Sequence, residues 1–185
     1  GGIYARASTV LMTNCLIRDN AANGGWWAWG GAVFGGGLFI ESGQWTVLNT
    51  VFRGNVAFNQ ANAYYYTNAL GAGVFINGGN NLFRNCLFLS NTNLPVGDGG
   101  RTGPGAGIYM KPGTILDHCT IADNVTYCTN IVPAGAGVYL GGGVVSNCIL
   151  YFNTTTGGVD NLAGPQTNYY YSCAPELTNG VNGNL

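Results

Sequence analysis

Few side chains in this 185-residue sequence could do chemistry: the acids Asp19, Glu41, Asp98, Asp117, Asp123, Asp160 and Glu176, one histidine, His118, and six cysteines. Cleaving a glycosidic bond takes two carboxylates about 5–9.5 Å apart. Eliminating across a uronate takes a calcium or arginine clamp beside a base. Asp117 next to His118 is the best chemical pair, and Asp98 could join a site assembled by loops. The cysteines include no CxxC, and the one histidine occupies an asparagine-ladder position, so no metal or cofactor is expected.

What positions these groups is a repeat. Gly2-Ile-Tyr, Gly37-Leu-Phe, Gly73-Val-Phe, Gly107-Ile-Tyr and Gly137-Val-Tyr recur at spacings of 35, 36, 34 and 30, and the later anchors Asn14, Asn49, Asn85, His118 and Asn147 at 35, 36, 33 and 29. Such a period means stacked units. Glycine is 32 of 185 residues and the apolar runs are short, rich in β-branched and aromatic residues, and bounded by Gly and Asn. That pattern argues for strands between turns, about three per unit, rather than helices.

The repeat aligns three inward columns: Ile3/Leu38/Val74/Ile108/Val138, Met12/Val47/Phe83/Leu116/Val145 and Ile17/Phe52/Phe88/Ile121/Leu150. They predict an all-β parallel β-helix of about five regular rungs over residues 1–153, spaced about 4.8 Å, with the long insertions at one corner. Residues 154–185 are expected to pack on or continue the last rung. Asn14, Asn49, Asn85, His118 and Asn147 fall at one bend, and Asn20, Asn55, Asn91, Asn124 and Asn153 at the end of the third strand. Both sets are expected to tolerate left-handed backbone and to stack as ladders. On this lattice Asp19 and Asp123 lie three rungs, about 14 Å, apart, and no two acids share a column in adjacent rungs. Arg84 falls one rung below Asp117, which predicts a surface ion pair there. The sequence is therefore read as a non-enzyme with no catalytic residues. The sequons at Asn124 and Asn153 coincide with ladder positions, so glycosylation is not expected.

The pattern G-[GA]-G-[VIL]-[FY], with N-C-x-[FI]-x-x-N after it, resembles the right-handed parallel β-helix repeats of the pectate-lyase-like class. It is most similar to the polymorphic outer-membrane and autotransporter-passenger type. The segment 168–177 (NYYYSCAPEL) resembles the stretch beyond the last regular rung in large bacterial surface proteins of this kind. The resemblance implies a fold and a secreted or cell-surface location, but no particular activity, because the scaffold hosts lyases, hydrolases, adhesins and inert stalks.

Charged residues are only 7% and the net charge is -1, which offers no electrostatic grip on nucleic acid. No apolar run reaches the length of a membrane-spanning helix. Cys15, Cys86, Cys119 and Cys148 share a column, with Thr50 in the second rung, and suit a packed thiol ladder. Cys128 and Cys173 lie outside it and are a candidate disulfide clamping the tail.

Tyr4, Phe39, Phe75, Tyr109 and Tyr139 form an outward aromatic column, a candidate contact face. Three readings stay open for it: cover by the insertions (Trp26, Trp27, Trp29, Tyr64, Tyr65, Tyr66) or by the tail tyrosines Tyr169, Tyr170 and Tyr171, contact between copies, or a carbohydrate platform. The outward column Leu16, Val51, Leu87, Thr120 and Ile149 is also expected to be covered. The chain begins on a repeat's Gly-Gly, so the first rung is expected to be uncapped, and the tail offers only Pro175 and Glu176 as cover; another rung is therefore expected against at least one end, from a neighbouring copy or from further chain. The functional expectation is an extracellular structural or adhesive solenoid that self-associates end to end, with a filament as its extended form. The alternative is a polysaccharide-binding or polysaccharide-degrading β-helix.

Overall fold

The computed structural model of the chain describes residues 1–24, 32–59, 68–95, 101–127 and 135–185. It is a parallel β-solenoid, with like strands of successive coils paired in register. The first sheet stacks Ile3–Ala5, Leu38–Ile40, Val74–Ile76, Ile108–Met110, Val138–Leu140 and Leu162–Ala163. The second stacks Ser8–Thr13, Gly43–Leu48, Asn80–Arg84, Thr114–Asp117, Val144–Ser146 and Tyr169–Tyr170. The third stacks Leu16–Arg18, Val51–Arg53, Leu87–Leu89, Thr120–Ala122 and Ile149–Tyr151. Every expected column is a pairing register, for example Val74 opposite Leu38 and Ile108.

Three strands per unit was too few. A fourth sheet is built from Ala21–Gly24, Val56–Asn59, Thr92–Pro95, Val125–Thr126 and Thr154–Thr155, and a short fifth from Val33–Phe34, Asn68–Leu70 and Arg101–Thr102. These segments lack an apolar β-branched run, so their local preference is weak; the coil above or below supplies the pairing partner. They bury a small second core of Ala22, Val33, Ala57, Ala69 and Ala72.

The main core runs up the axis, with Leu38, Val47, Phe52, Val74, Phe83, Phe88, Ile108, Leu116, Ile121, Val138, Val145 and Leu150 fully buried. It narrows toward the C-terminus, because the second-sheet strands shorten from six residues in the first two coils to five, four, three and two. Inward side chains change accordingly: Trp45 in the second coil faces Asn81 in the third and Thr114 in the fourth.

Asn14, Asn49, Asn85, His118 and Asn147 have φ of 50–54° and stand at exposed corners, the left-handed conformation that asparagine tolerates better than most residues. Their expected amide ladder is largely absent. Among the described residues only Asn85 Nδ2 to Asn49 Oδ1, at 3.3 Å, links two of these amides, because exposed corner amides can bond water instead. At the next corner the left-handed residue is not the ladder asparagine but the one before it: Asp19, Gly54, Ser90, Asp123 and Phe152.

Residues 154–185 continue the stack. Leu162–Ala163 pairs with the first sheet, Tyr169–Tyr170 with the second, and Cys173 bridges Ile149 on the third.

The glycine before each of the first five first-sheet strands has no room for a side chain. A Cβ on Gly73 would sit 2.4 Å from the Gly107 carbonyl oxygen and 2.9 Å from Asn91 Nδ2. Gly73→Val should therefore force coils apart and cost upward of about 3 kcal/mol. Urea unfolding of the variant, compared with the parent chain, measures that loss.

Candidate functional site

Asn20, Asn55, Asn91, Asn124 and Asn153 turn inward and form a continuous relay. Each donates both its backbone N–H and its Nδ2 to the Oδ1 of the asparagine above: Asn20 to Asn55 at 3.1 and 3.0 Å, Asn55 to Asn91 at 3.0 Å for both, Asn91 to Asn124 at 2.9 Å for both, and Asn124 to Asn153 at 3.0 and 2.8 Å. Four of the five are fully buried, and Asn20 is half-buried. The second Nδ2 hydrogen of Asn55, Asn91, Asn124 and Asn153 reaches the third-sheet carbonyl of the coil below, as Asn91 does to Phe52 at 3.0 Å. Buried amides must be satisfied, and this arrangement does so at every level.

The relay has a direction, and its two ends differ. At the top Asn153 donates to Asn161 Oδ1, and Asn161 donates its N–H and Nδ2 to the Glu176 carboxylate at 2.7 and 3.1 Å. Glu176 thus serves as the last acceptor. The tail closes the rest of that end: Asn184 is buried and bonds Ser172 N and Tyr169 O, and Leu185 N donates to Ser172 O. At the bottom Asn20 Oδ1 receives no donor among the described residues. The four first-coil strands pair on one side only, and Ile3, Val10, Met12 and Ile17 are half-buried where their counterparts above are buried.

The cysteine column is a second relay of the same sense. Cys15 N donates to Thr50 Oγ1, Cys119 N to Cys148 Sγ and Cys148 N to Ser172 Oγ. Each hydroxyl or thiol also donates to the carbonyl two residues back, from Cys15 to Thr13 through Ser172 to Tyr170. Any small donor can fill the position, which explains Thr50 and Ser172. The hydrogen bond with Cys148, reinforced by burial, pushes the Cys119 thiol up to about 12, and that with Cys119, again with burial, pushes Cys86 up further. These groups stay protonated thiols at neutral pH and are poor nucleophiles and metal ligands. Cys173 is a free thiol 3.8 Å from Tyr151 Oη; its candidate partner Cys128 lies outside the described residues.

The aromatic column is continuous, tilted and edge-on in its lower half and stacked in its upper half. Ring centroids are 5.2 Å apart for Tyr4–Phe39, 5.3 Å for Phe39–Phe75, 4.7 Å for Phe75–Tyr109 and 4.8 Å for Tyr109–Tyr139, the last two near-parallel. Phe34 from the fifth sheet packs on Phe39 and Phe75, and Phe75 is buried. Along the upper stack rings cover one another's faces, whereas Tyr4 at the open end is 59% exposed. A sugar ring stacks on an aromatic face, so this geometry makes a poor glycan platform apart from its ends. Of the tail tyrosines, Tyr169 is buried in the core while Tyr170 and Tyr171 are exposed; Trp26, Trp27, Trp29 and Tyr64–Tyr66 lie outside the described residues, as does Asp98. The Leu16 column is not fully covered: Leu16 and Ile149 are exposed, and Val51, Leu87 and Thr120 half-buried.

Asp117 accepts from Arg84 Nε at 2.8 Å and Asn147 Nδ2 at 2.9 Å, with Ser146 Oγ at 3.1 Å and His118 Nδ1 at 2.8 Å. Burial pushes its pKa up, but these four partners outweigh it and hold the carboxyl below the usual carboxylate range. A carboxylate so occupied is a weak base and is not protonated near neutrality to act as an acid. Among the described residues no cluster of three or more His, Cys, Asp or Glu could hold a metal ion, and no helix is long and apolar enough to cross a membrane. No protein-family model, curated protein or solved structure matches this chain.

Sequence reasoning missed Asn161 and Ser172, and it named Glu176, with Pro175, as a candidate cover for an open coil but not as the relay's last acceptor. Asn161 stands where the lower coils have the crowded glycine; with no full coil above, its side chain has space to join the relay. Two outcomes test the site. Asn91→Leu orphans both Asn55 donors and takes one donor from the Phe52 carbonyl, and should cost about 3 kcal/mol or more, read from urea midpoints. Asp117→Asn should cost about 1–2 kcal/mol at pH 7 from lost charged hydrogen bonds. Because the folded pKa is lowered, Asp117's contribution is present above the unfolded value and fades as pH falls through the folded one, so the wild-type and variant stabilities should converge in acid.

Proposed function

We propose that this chain is an extracellular structural or adhesive β-solenoid that self-associates end to end by pairing coil edges. The observation that carries this reading is one junction repeated up the axis: each coil meets the next through parallel strand edges, two asparagine donors on one amide oxygen and in-register apolar columns. A coil edge presents that same set to any further coil, and strand edges are association sites unless something blunts them. The repeat signature supports placing the chain among the right-handed β-helix repeats of surface proteins, and with that a secreted or cell-surface location.

The cap also shapes the kind of assembly. A filament of identical copies stacked head to tail needs each top coil to offer its donors, and here Glu176 has taken them. A copy can stack on that coil only once the tail moves aside. The polysaccharide reading is weaker, because the aromatic faces are mutually covered and Asp117 is saturated.

Negative-stain images of the 185-residue chain should show short rods, about 24 Å for five coils along the axis. Removing residues 171–185, which takes away Glu176 and the rest of the cover, should free the top coil and produce head-to-tail fibres, whereas Glu176→Gln, which keeps an acceptor and the tail, should not. A cap-disrupted chain that keeps its far-ultraviolet β spectrum yet remains as single rods would overturn coil-edge association.

A further inference from the structure

Asn23, Asn77, Asn179 and Asn182 each precede a glycine. Such a pair can modify itself, because a glycine nitrogen carries no neighbouring side chain to keep it from the carboxamide carbon of the residue before it. The structure separates the four. Asn23 and Gly24 lie inside a strand, paired with Phe58 and Asn59. The Gly180 N–H donates to the Asn184 carbonyl at 2.9 Å, and Asn182 Nδ2 donates to the Thr167 and Tyr169 carbonyls at 3.3 and 3.2 Å.

Nothing comparable restrains Asn77 and Gly78. Asn77 is exposed, at the corner between Val74–Ile76 and Asn80–Arg84. Among the described residues the Gly78 N–H donates to nothing, and a Cβ on Gly78 would find only the Glu41 carbonyl oxygen, at 3.9 Å. A ring has room to close there. Lys111, one coil above, donates from Nζ to Asn77 Oδ1 at 2.7 Å. Among the described residues that ammonium pairs with no carboxylate; Glu41, one coil below Asn77, is engaged by Tyr4 Oη and Arg6 Nε.

We propose that Asn77 is a self-modifying site, at which the Gly78 nitrogen closes on the Asn77 side chain while Lys111 holds the carboxamide oxygen. Gly78 N gives its proton to solvent base and bonds Asn77 Cγ; the Cγ–Nδ2 bond then breaks, and ammonia leaves with a proton from water. Negative charge gathers on Oδ1 before the nitrogen departs. The Lys111 ammonium already lies at that oxygen, and a donor aimed at developing charge lowers the barrier. Water then opens the ring at either carbonyl, leaving aspartate or isoaspartate at position 77, with no oxidation or reduction. The product carboxylate is the counterion that Lys111 lacks. Isoaspartate also adds an atom to the main chain at a corner where Gly79, at φ 97°, backs onto the Gly43 carbonyl, so the corner must bulge to hold it. The site lies within the stack, in the third coil, and does not depend on the association reading.

Peptide mapping of the 185-residue chain held at mildly alkaline pH, with isoaspartyl methyltransferase labelling as a second probe, measures conversion at each asparagine. Asn77 should convert about tenfold or more faster than Asn179 and Asn182, whose reaction waits on local opening. Gly78→Ala, for which the fold has room, should slow Asn77 about tenfold by obstructing the nitrogen. Lys111→Met should slow it about threefold or more, since a surface charge is partly screened, and Lys111→Arg, which keeps the cation, should restore the rate. Conversion at Asn77 no faster than at Asn179 and Asn182 overturns the site. An unchanged or faster rate in Lys111→Met overturns the part given to Lys111. Loss of ammonia that leaves Asn77 joined to Lys111 overturns the proposal as well, because the lysine nitrogen and not Gly78 would then be the nucleophile.

Discussion

Two donors from one asparagine converge on the amide oxygen of the next, and the rest of the molecule depends on that unit repeating without a gap. Buried amides are tolerated only when satisfied, so the relay fixes which residue lies above which. A slip of one residue in any coil would orphan donors at that level and turn each strand's inward side chains outward. The crowded glycines belong to the same constraint: Gly37, Gly73 and Gly107 lie against both the next coil's carbonyl and a ladder amide. The hydrophobic columns supply the driving force, and the relay supplies the register.

Because each amide donates in one direction, the stack is polar, and its ends pose opposite problems. An end with spare donors needs an acceptor; an end with a spare acceptor needs donors. Glu176 answers the first with a carboxylate, a stronger acceptor than the amide oxygen it replaces. The second is left unanswered within the described residues. The taper of the second sheet reinforces this polarity, since the core diminishes toward the closed end until a tail of turns and short 3-10 segments can cover it.

The fold was legible in the sequence because the coil period is written twice, in glycines and in asparagines, and because the columns between them keep one character at each level. The Arg84–Asp117 pair was legible for the same reason. The fourth strand was not: Ala21–Gly24 and Val125–Thr126 have no pattern of their own and become strands only because a neighbour offers an edge. Asn161 and Ser172 escaped because the final coil is shortened, which breaks the spacing that marks the others. Glu176 read as a charge that could blunt a coil edge; its place as the relay's last acceptor depends on where the tail folds back, which no local pattern encodes.

Thr50 interrupts the sulfur column between Cys15 and Cys86. A hydroxyl does not take part in thiol–disulfide exchange, so an oxidant that reaches the rim at Cys15 finds no sulfur in the coil directly above. The three buried thiols above have no exchange path to Cys15 along the column, while the threonine hydroxyl still accepts from Cys15 N and donates to the Leu48 carbonyl.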